Sequence, residues 1–342
     1  MAMLRIALRY MRKEVITLPT RMISLLFVLF LLLFPLFSDD MYLLRILALA
    51  AIFAIFAASW DLLSGFVGQV SFGHALFFGV AAYTSALLNL RLELPPFLTI
   101  PLGAIAAVLV GLLVGIPCLR LKGPYLGLAT LAFPIMLMGV IFAFPGFFGG
   151  ELGIYGLTRL ASERVHEYYI AVILMLICCF IMWKITDSKI GIIFHAIRED
   201  EIAVRASGIN TIKYKLLAFC LSGFFAGIAG GLYTHFLRIA GPSVLAVLMS
   251  FQAIIWSIFG GIATIYGAVV GVFILYPALE LLRAASEYRM LIFALIVLIV
   301  LRLMPQGITT FFRDRLEKEC PRCKVRNAFT RKECRVCFSS MK

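Results

Sequence analysis

Charge is what this sequence has least of. Of its 342 residues, 14% are Asp, Glu, Lys or Arg and 63% are hydrophobic. A soluble globular chain carries about 25% charged and about 45–50% apolar residues. The shortage excludes a single soluble core, and a bilayer is the solvent that accommodates so much apolar surface. A G-x-x-x-x-G-K-[ST] phosphate loop is absent, which excludes nucleotide binding by that route. So is the G-x-S-x-G elbow of a serine hydrolase. The four histidines (His74, His166, His195, His235) are scattered without metal-ligand spacing. Ionisable residues in the apolar runs are few, with Arg45, Asp61 and Glu280 near run ends, so the chain lacks the proton relay of an ion-driven carrier. No enzymatic activity is expected. Either a partner supplies the energy for transport, or the chain is a channel.

Acid is scarcer than base, 18 residues against 31, for a net charge of +13. The excess collects at the N-terminus (Arg5, Arg9, Arg12, Lys13, Arg21), between Lys184 and Lys215, and after Arg302. Such clusters suit cytoplasmic loops and anionic lipid headgroups. Runs of roughly 20 apolar residues cross the bilayer. About ten are read at 22–37, 43–60, 71–90, 97–118, 124–147, 168–186, 214–237, 243–260, 264–281 and 287–303, a count uncertain by about two, so 8–10 spans in an all-α helical bundle. The first follows a basic segment, but Ser38-Asp39-Asp40 offers no small-residue cleavage site, so it is read as a retained span. With the N-terminus inside and an even number of spans, every strongly basic segment falls on the cytoplasmic side, and the loop 149–168 faces outward. The expected organisation is a basic segment 1–21, a transmembrane domain 22–310 with a cytoplasmic loop 187–213, and a tail 311–342.

Two stretches are unlike plain spans. Residues 64–74 interleave Gly65, Gly68 and Gly73 with Gln69, Ser71 and His74, and residues 260–271 carry four glycines. Irregular backbone at membrane depth is tolerated only inside protein or beside a water-filled cavity. Gln69, Ser71 and His74 are therefore read as lining a pathway, with hydrogen bonding between helices as the alternative. For 260–271, close helix packing is the favoured reading. In the basic loop, residues 192–206 suit one amphipathic helix, with Ile193, Ile197 and Val204 offset against charge and Gly208 as its stop. A short helix between two spans is shaped for docking into a groove on a partner.

Gly65-Phe-Val-Gly68-Gln69-Val-Ser71-Phe-Gly73-His74, Leu121-Lys122-Gly123-Pro124-Tyr125-Leu126, Ala196-Ile-Arg198-Glu199-Asp200-Glu201-Ile-Ala203, Gly208-Ile209, Tyr214–Phe219, Ser222–Tyr233, Gly260-Gly261 and Met304-Pro305-Gln306-Gly307 occur in this order. Over about residues 40–310 the sequence resembles the second permease subunit of branched-chain amino-acid ABC importers, of type II fold. The resemblance implies a homologous permease as heterodimer partner, two cytoplasmic ATPase subunits and an extracytoplasmic binding protein, in a prokaryotic inner membrane. It implies an ATPase-coupling element at Arg198, Glu199, Asp200, Glu201, Ala203, Ala206 and Gly208. Gly65, Gly149 and Gly150 join Gln69, Ser71 and His74 as its pathway residues. Phe148 stands where the family has Thr, Ala263 where it has Gly, and His74 where it has Gln. These departures leave urea and short amides open beside branched-chain amino acids. A stand-alone channel or carrier with a metal-sensing tail, or a membrane anchor for that tail, are the other readings.

The tail departs from the family altogether. Cys320-x-x-Cys323, ten residues, then Cys334-x-x-Cys337 has the spacing of a four-thiolate zinc ribbon. A cytoplasmic location keeps such thiols reduced. Iron or a redox pair are the alternatives. Residues 304–342 hold ten Lys or Arg against four Asp or Glu, a net of +6, suited to an ATPase subunit or lipid headgroups. Nucleic acid is the less expected partner.

Overall fold

The computed structural model describes residues 19–38, 40–118, 121, 124–282, 288–304, 306–323, 325–329, 333–334, 336–337 and 339–340. Most of the basic segment 1–21 lies outside them, as do Lys122 and Gly123 of one family block. In chain order the elements are α1 (Pro19–Phe37), α2 (Met41–Val67), α3 (Ala75–Leu92), α4 (Pro96–Cys118), α5 (Pro124–Ala143), β1 (Ile154–Tyr155), α6 (Arg164–Thr186), α7 (Lys189–Glu199), α8 (Glu201–Ala206), α9 (Thr211–Leu237), β2 (Ile239–Ala240), α10 (Val247–Gly260), α11 (Ile265–Leu281), α12 (Arg289–Leu303), α13 (Ile308–Leu316), β3 (Glu317–Glu319) and β4 (Arg326–Ala328). Asp40–Gly307 forms one compact unit; α1 and the chain from Ile308 belong to a second.

Six helices among the described residues are long and apolar enough to cross a membrane, seven if a bent pair is counted as one. Of the eight to ten spans expected, one pair takes another course. The runs expected at 243–260 and 264–281 are α10 and α11, bent by 109° at their junction. Alone, the 14 residues of α10 rise only about 21 Å, short of about 30 Å of hydrocarbon. Met22–Phe37 and Leu291–Val300 are shorter apolar helices.

The larger unit is organised around α2. Its 27 residues rise about 40 Å, and nearly every residue from Ala48 to Val67 is buried. Asp40 caps its start by accepting from the Tyr42 amide at 2.9 Å, and Gly68 ends it. Ala50, Ala51, Ala54, Ala57 and Ala58 keep its surface low, so that α6, α9, α10 and α11 pack against it. Hydroxyls tie the neighbours in: Ser222 of α9 donates to the Ser59 carbonyl at 2.8 Å, and Ser257 of α10 to the Ala57 carbonyl at 3.0 Å. A second layer joins α3, α4 and α9.

One end of this unit is closed by a strand pair that the helical periodicity hid. β1 pairs antiparallel with β2, Ile154 opposite Ala240 and Tyr155 opposite Ile239. Beneath it runs a buried polar chain. Ser85 donates to Thr99 Oγ1 at 2.9 Å, Thr99 Oγ1 lies 2.8 Å from His235 Nε2, and His235 Nδ1 donates to the Thr158 carbonyl at 3.0 Å. Asn89 completes the tie, accepting from the Thr158 amide and donating to Thr158 Oγ1 and the Leu94 carbonyl. His235 Nδ1, facing a carbonyl, carries a proton. His235→Leu strips partners from the Thr158 carbonyl and a buried hydroxyl, and is expected to lower the stability of this end by about 1–3 kcal/mol. A thermal melt in detergent, with Ser85→Ala as the milder comparison, checks it.

Candidate functional site

The chain leaves α2 at Gly68 and re-enters a helix only at Ala75, and side chains satisfy the backbone between. Trp60 Nε1 donates to the Ser71 carbonyl at 2.8 Å, and Ser64 Oγ donates to the Gln69 carbonyl at 2.9 Å. The Phe72 amide donates to Thr130 Oγ1 of α5 at 3.1 Å, and the Ala75 amide to Ser250 Oγ of α10 at 2.9 Å. A Cβ at Gly73 would run into the Thr130 carbonyl, so this close approach requires glycine. His74 is fully buried against Phe56 and Phe77, its Nε2 2.8 Å from Ser59 Oγ. Gln69 Oε1 and His74 Nδ1 are buried acceptors with no partner among the described residues. The structure thus gathers Gln69, Ser71 and His74 on one short segment packed on α2, with Gly65 one turn inside the helix. Gly149 and Gly150 lie in the turn before β1, both at positive φ, where Gly149 donates to the Pro145 carbonyl at 2.8 Å.

The second site is the basic loop. The single helix expected over 192–206 is two, α7 and α8, broken at Asp200. Asp200 is extended (φ −152°), and its carboxylate accepts from the amides of Ile202 and Ala203 at 2.8 and 3.0 Å. An N-cap carboxylate starts a new helix more readily than it continues an old one. Ser188 caps α7 and Asn210 caps α9. Gly208 sits at φ +80°, the left-handed position that ends α8. Phe194, Ile197 and Val204 bury one face of the pair, whereas Ile192, Ile202 and Ile212 are exposed. Glu201 is pinned on the other side by Lys215, Arg205 and Thr211. Partial burial pushes its carboxyl up, but the hydrogen bond and charge of Lys215 outweigh it and hold the pKa below the ordinary carboxylate value. Arg198, in the last turn of α7, donates from Nη1 to the Gly65 carbonyl at 2.6 Å. The basic loop and the end of α2 are therefore joined.

Residues 42–301 match the family described as branched-chain amino acid transport system, permease component. The chain belongs to this family. It is similar to the high-affinity branched-chain amino acid transport system permease protein LivM of Escherichia coli, 27% identical over 80% of this chain and 71% of that one. It also resembles a probable branched-chain amino acid transport permease protein LivH of Methanocaldococcus jannaschii, 25% identical over 67% and 79%. The ribose import permease protein RbsC of Haemophilus influenzae is 29% identical over 61% and 68%.

In this permease the third site lies beyond the family match. The β3–β4 hairpin pairs Glu317 with Ala328 and Glu319 with Arg326, and carries the first Cys pair just past its first strand. The two Cys-x-x-Cys turns fold alike: the Cys320 amide donates to the Val325 carbonyl, and the Cys334 amide to the Ser339 carbonyl, both at 3.0 Å. Cys320 and Cys334 are buried, and all four sulfurs lie within 4.8 Å of one another. The Cys320–Cys337 and Cys323–Cys334 separations are 3.5 and 3.4 Å. Four sulfurs about 2.3 Å from a tetrahedral ion stand about 3.8 Å apart, so the cluster fits a four-thiolate metal site. Hydrogen bonds from the Ser339 hydroxyl and the Cys323 amide hold the Cys320 thiol below its ordinary pKa, which favours a thiolate. Purified protein is expected to hold one metal ion per chain, and Cys320→Ser with Cys334→Ser to hold none. Elemental analysis after gel filtration, before and after a chelator, measures this.

Proposed function

We propose that the chain is the membrane-spanning subunit of an ATP-driven importer that passes branched-chain or related amino acids into the cytoplasm of a prokaryotic cell. The α7–α8 pair carries this reading. It is a capped two-helix hook, held to its own unit by Phe194, Ile197 and the Glu201–Lys215 tie, yet it presents Ile192 and Ile202 outward, with Ile212 exposed at the start of α9. Exposed apolar side chains rimmed by charge mark a protein contact. The fitting partner is an ATPase subunit, two of them in an importer with a homologous permease and an extracytoplasmic binding protein. The hook then faces the cytoplasm, as do both chain ends, and the β1–β2 end faces outward. Hydrolysis belongs to the partners, and this chain is not an enzyme.

Solute would pass beside Gly65, Gln69, Ser71 and His74, with Gly149 and Gly150 shaping the outer turn. The partnerless acceptors Gln69 Oε1 and His74 Nδ1 are placed to meet a donor such as an ammonium group, and the surrounding aromatic and aliphatic wall suits an apolar side chain. The tail's metal is zinc, which in a closed four-thiolate site serves structure rather than catalysis.

Reconstituted with its ATPases, sister permease and binding protein, the chain should accumulate radiolabelled leucine with ATP, and urea should compete poorly. Glu201→Lys or Gly208→Pro should lower uptake about tenfold or more without loss of membrane insertion, since the first repels Lys215 and the second cannot adopt positive φ. Accumulation against a gradient by the chain alone would overturn the reading.

A further inference from the structure

α2 carries one carboxylate in its fully buried stretch. Asp61 has no exposed surface, and each of its oxygens accepts from a backbone amide: Oδ1 from Ala263 at 2.8 Å, Oδ2 from Thr264 at 2.9 Å. Those two amides belong to the turn where α10 bends by 109° into α11. Thr264 is the N-cap of α11 and makes no side-chain cap of its own. Asp61 therefore fixes, from another helix, the two residues that lead into α11. The turn needs holding. Ala263 sits at φ +59°, a left-handed conformation that costs a residue bearing a Cβ.

One turn further along α2 is Gly65. A Cβ there would collide with Asp61 Oδ1 and lie 2.8 Å from the Ala263 nitrogen, so the bend reaches α2 only because this position is bare. Its carbonyl receives the Arg198 guanidinium from the end of α7. A single turn of α2 thus holds the docking hook at its carbonyl and the bent pair at its carboxylate. An intramembrane carboxylate is expensive to keep, and this one has a continuous set of contacts from the hook to the bend.

We infer that Asp61, Gly65 and Arg198 form a relay that ties the position of the α7–α8 hook to the angle of the α10–α11 bend, with Asp61 as a positioning residue. Movement of the hook draws Arg198 against the Gly65 carbonyl and shifts the turn of α2 that carries Asp61. The hold of Asp61 on the Ala263 and Thr264 amides changes with it, and the bent pair responds as a unit. The relay rests on the permease reading above, because a hook with no ATPase has nothing to report.

The test uses the reconstituted importer and reads ATP hydrolysed per leucine accumulated, with complex assembly and detergent melting measured beside it. Wild type must first accumulate leucine with ATP; if it does not, the permease reading itself fails. With that established, Asp61→Asn keeps the shape but turns one of its two acceptors into a donor facing a backbone amide, and Arg198→Gln loses the guanidinium. Each should raise the ATP-to-leucine ratio at least about fivefold in complexes that assemble. The double variant should be no worse than the poorer single one, as for two parts of one relay. Arg198→Lys should recover part of the coupling. If Asp61→Asn does not assemble, the Arg198 pair decides. Wild-type coupling in Arg198→Gln, or additive losses in the double variant, overturns the relay.

Discussion

Hydrocarbon offers backbone amides and carbonyls no water to bond, so chain that leaves a helix inside it must find its partners in protein. The packing of α2 answers that demand at two places. Trp60, Ser64 and Thr130 satisfy the stretch after Gly68, and Asp61 satisfies the turn between α10 and α11. An unpaired group there would cost several kcal/mol, more than any single packing contact returns. The polar residues of α2 are therefore grouped toward one end of the helix, where the irregular backbone lies, while its alanine-rich remainder lets other helices approach.

Where the chain leaves the bilayer, electrostatics replaces burial as the organising force. The six residues of α8 are too few to hold a helix by propensity alone. Asp200 starts it, Gly208 stops it, and Glu201, tethered to Lys215 of α9, fixes its position. Because the loop is set by caps and ion pairs, its outward side can stay apolar without collapsing onto its own unit. That leaves Ile192 and Ile202 available to another protein.

The cysteine tail obeys a third rule. Among its described residues the buried centre is Cys320 and Cys334, with Cys323 and Cys337 packed on them, and no apolar core accompanies it. A module this small cannot bury enough hydrophobic surface to fold unaided. Metal–thiolate bonds would take the place of that core, so metal binding and folding would be a single event.

Some of this was legible from composition and spacing. Apolar runs gave the helices, Lys/Arg clusters marked the loops, Gly208 marked a helix end, and two Cys-x-x-Cys pairs marked the four-cysteine cluster. These are local signals, carried by residues close together in the chain. The α10–α11 bend was misread as two spans, because hydropathy measures how apolar a segment is and not the direction it takes. The break at Asp200 escaped an amphipathic pattern that runs through it. Asp61 was read as lying near a span end, yet α2 continues to Val67. Its part depends on amides about 200 residues away in sequence. The sequence by itself determined which segments avoid water and which residues can bind metal. Tertiary structure alone decided which buried polar group meets which backbone amide, because in a low-dielectric interior that pairing is set by contact between helices distant along the chain.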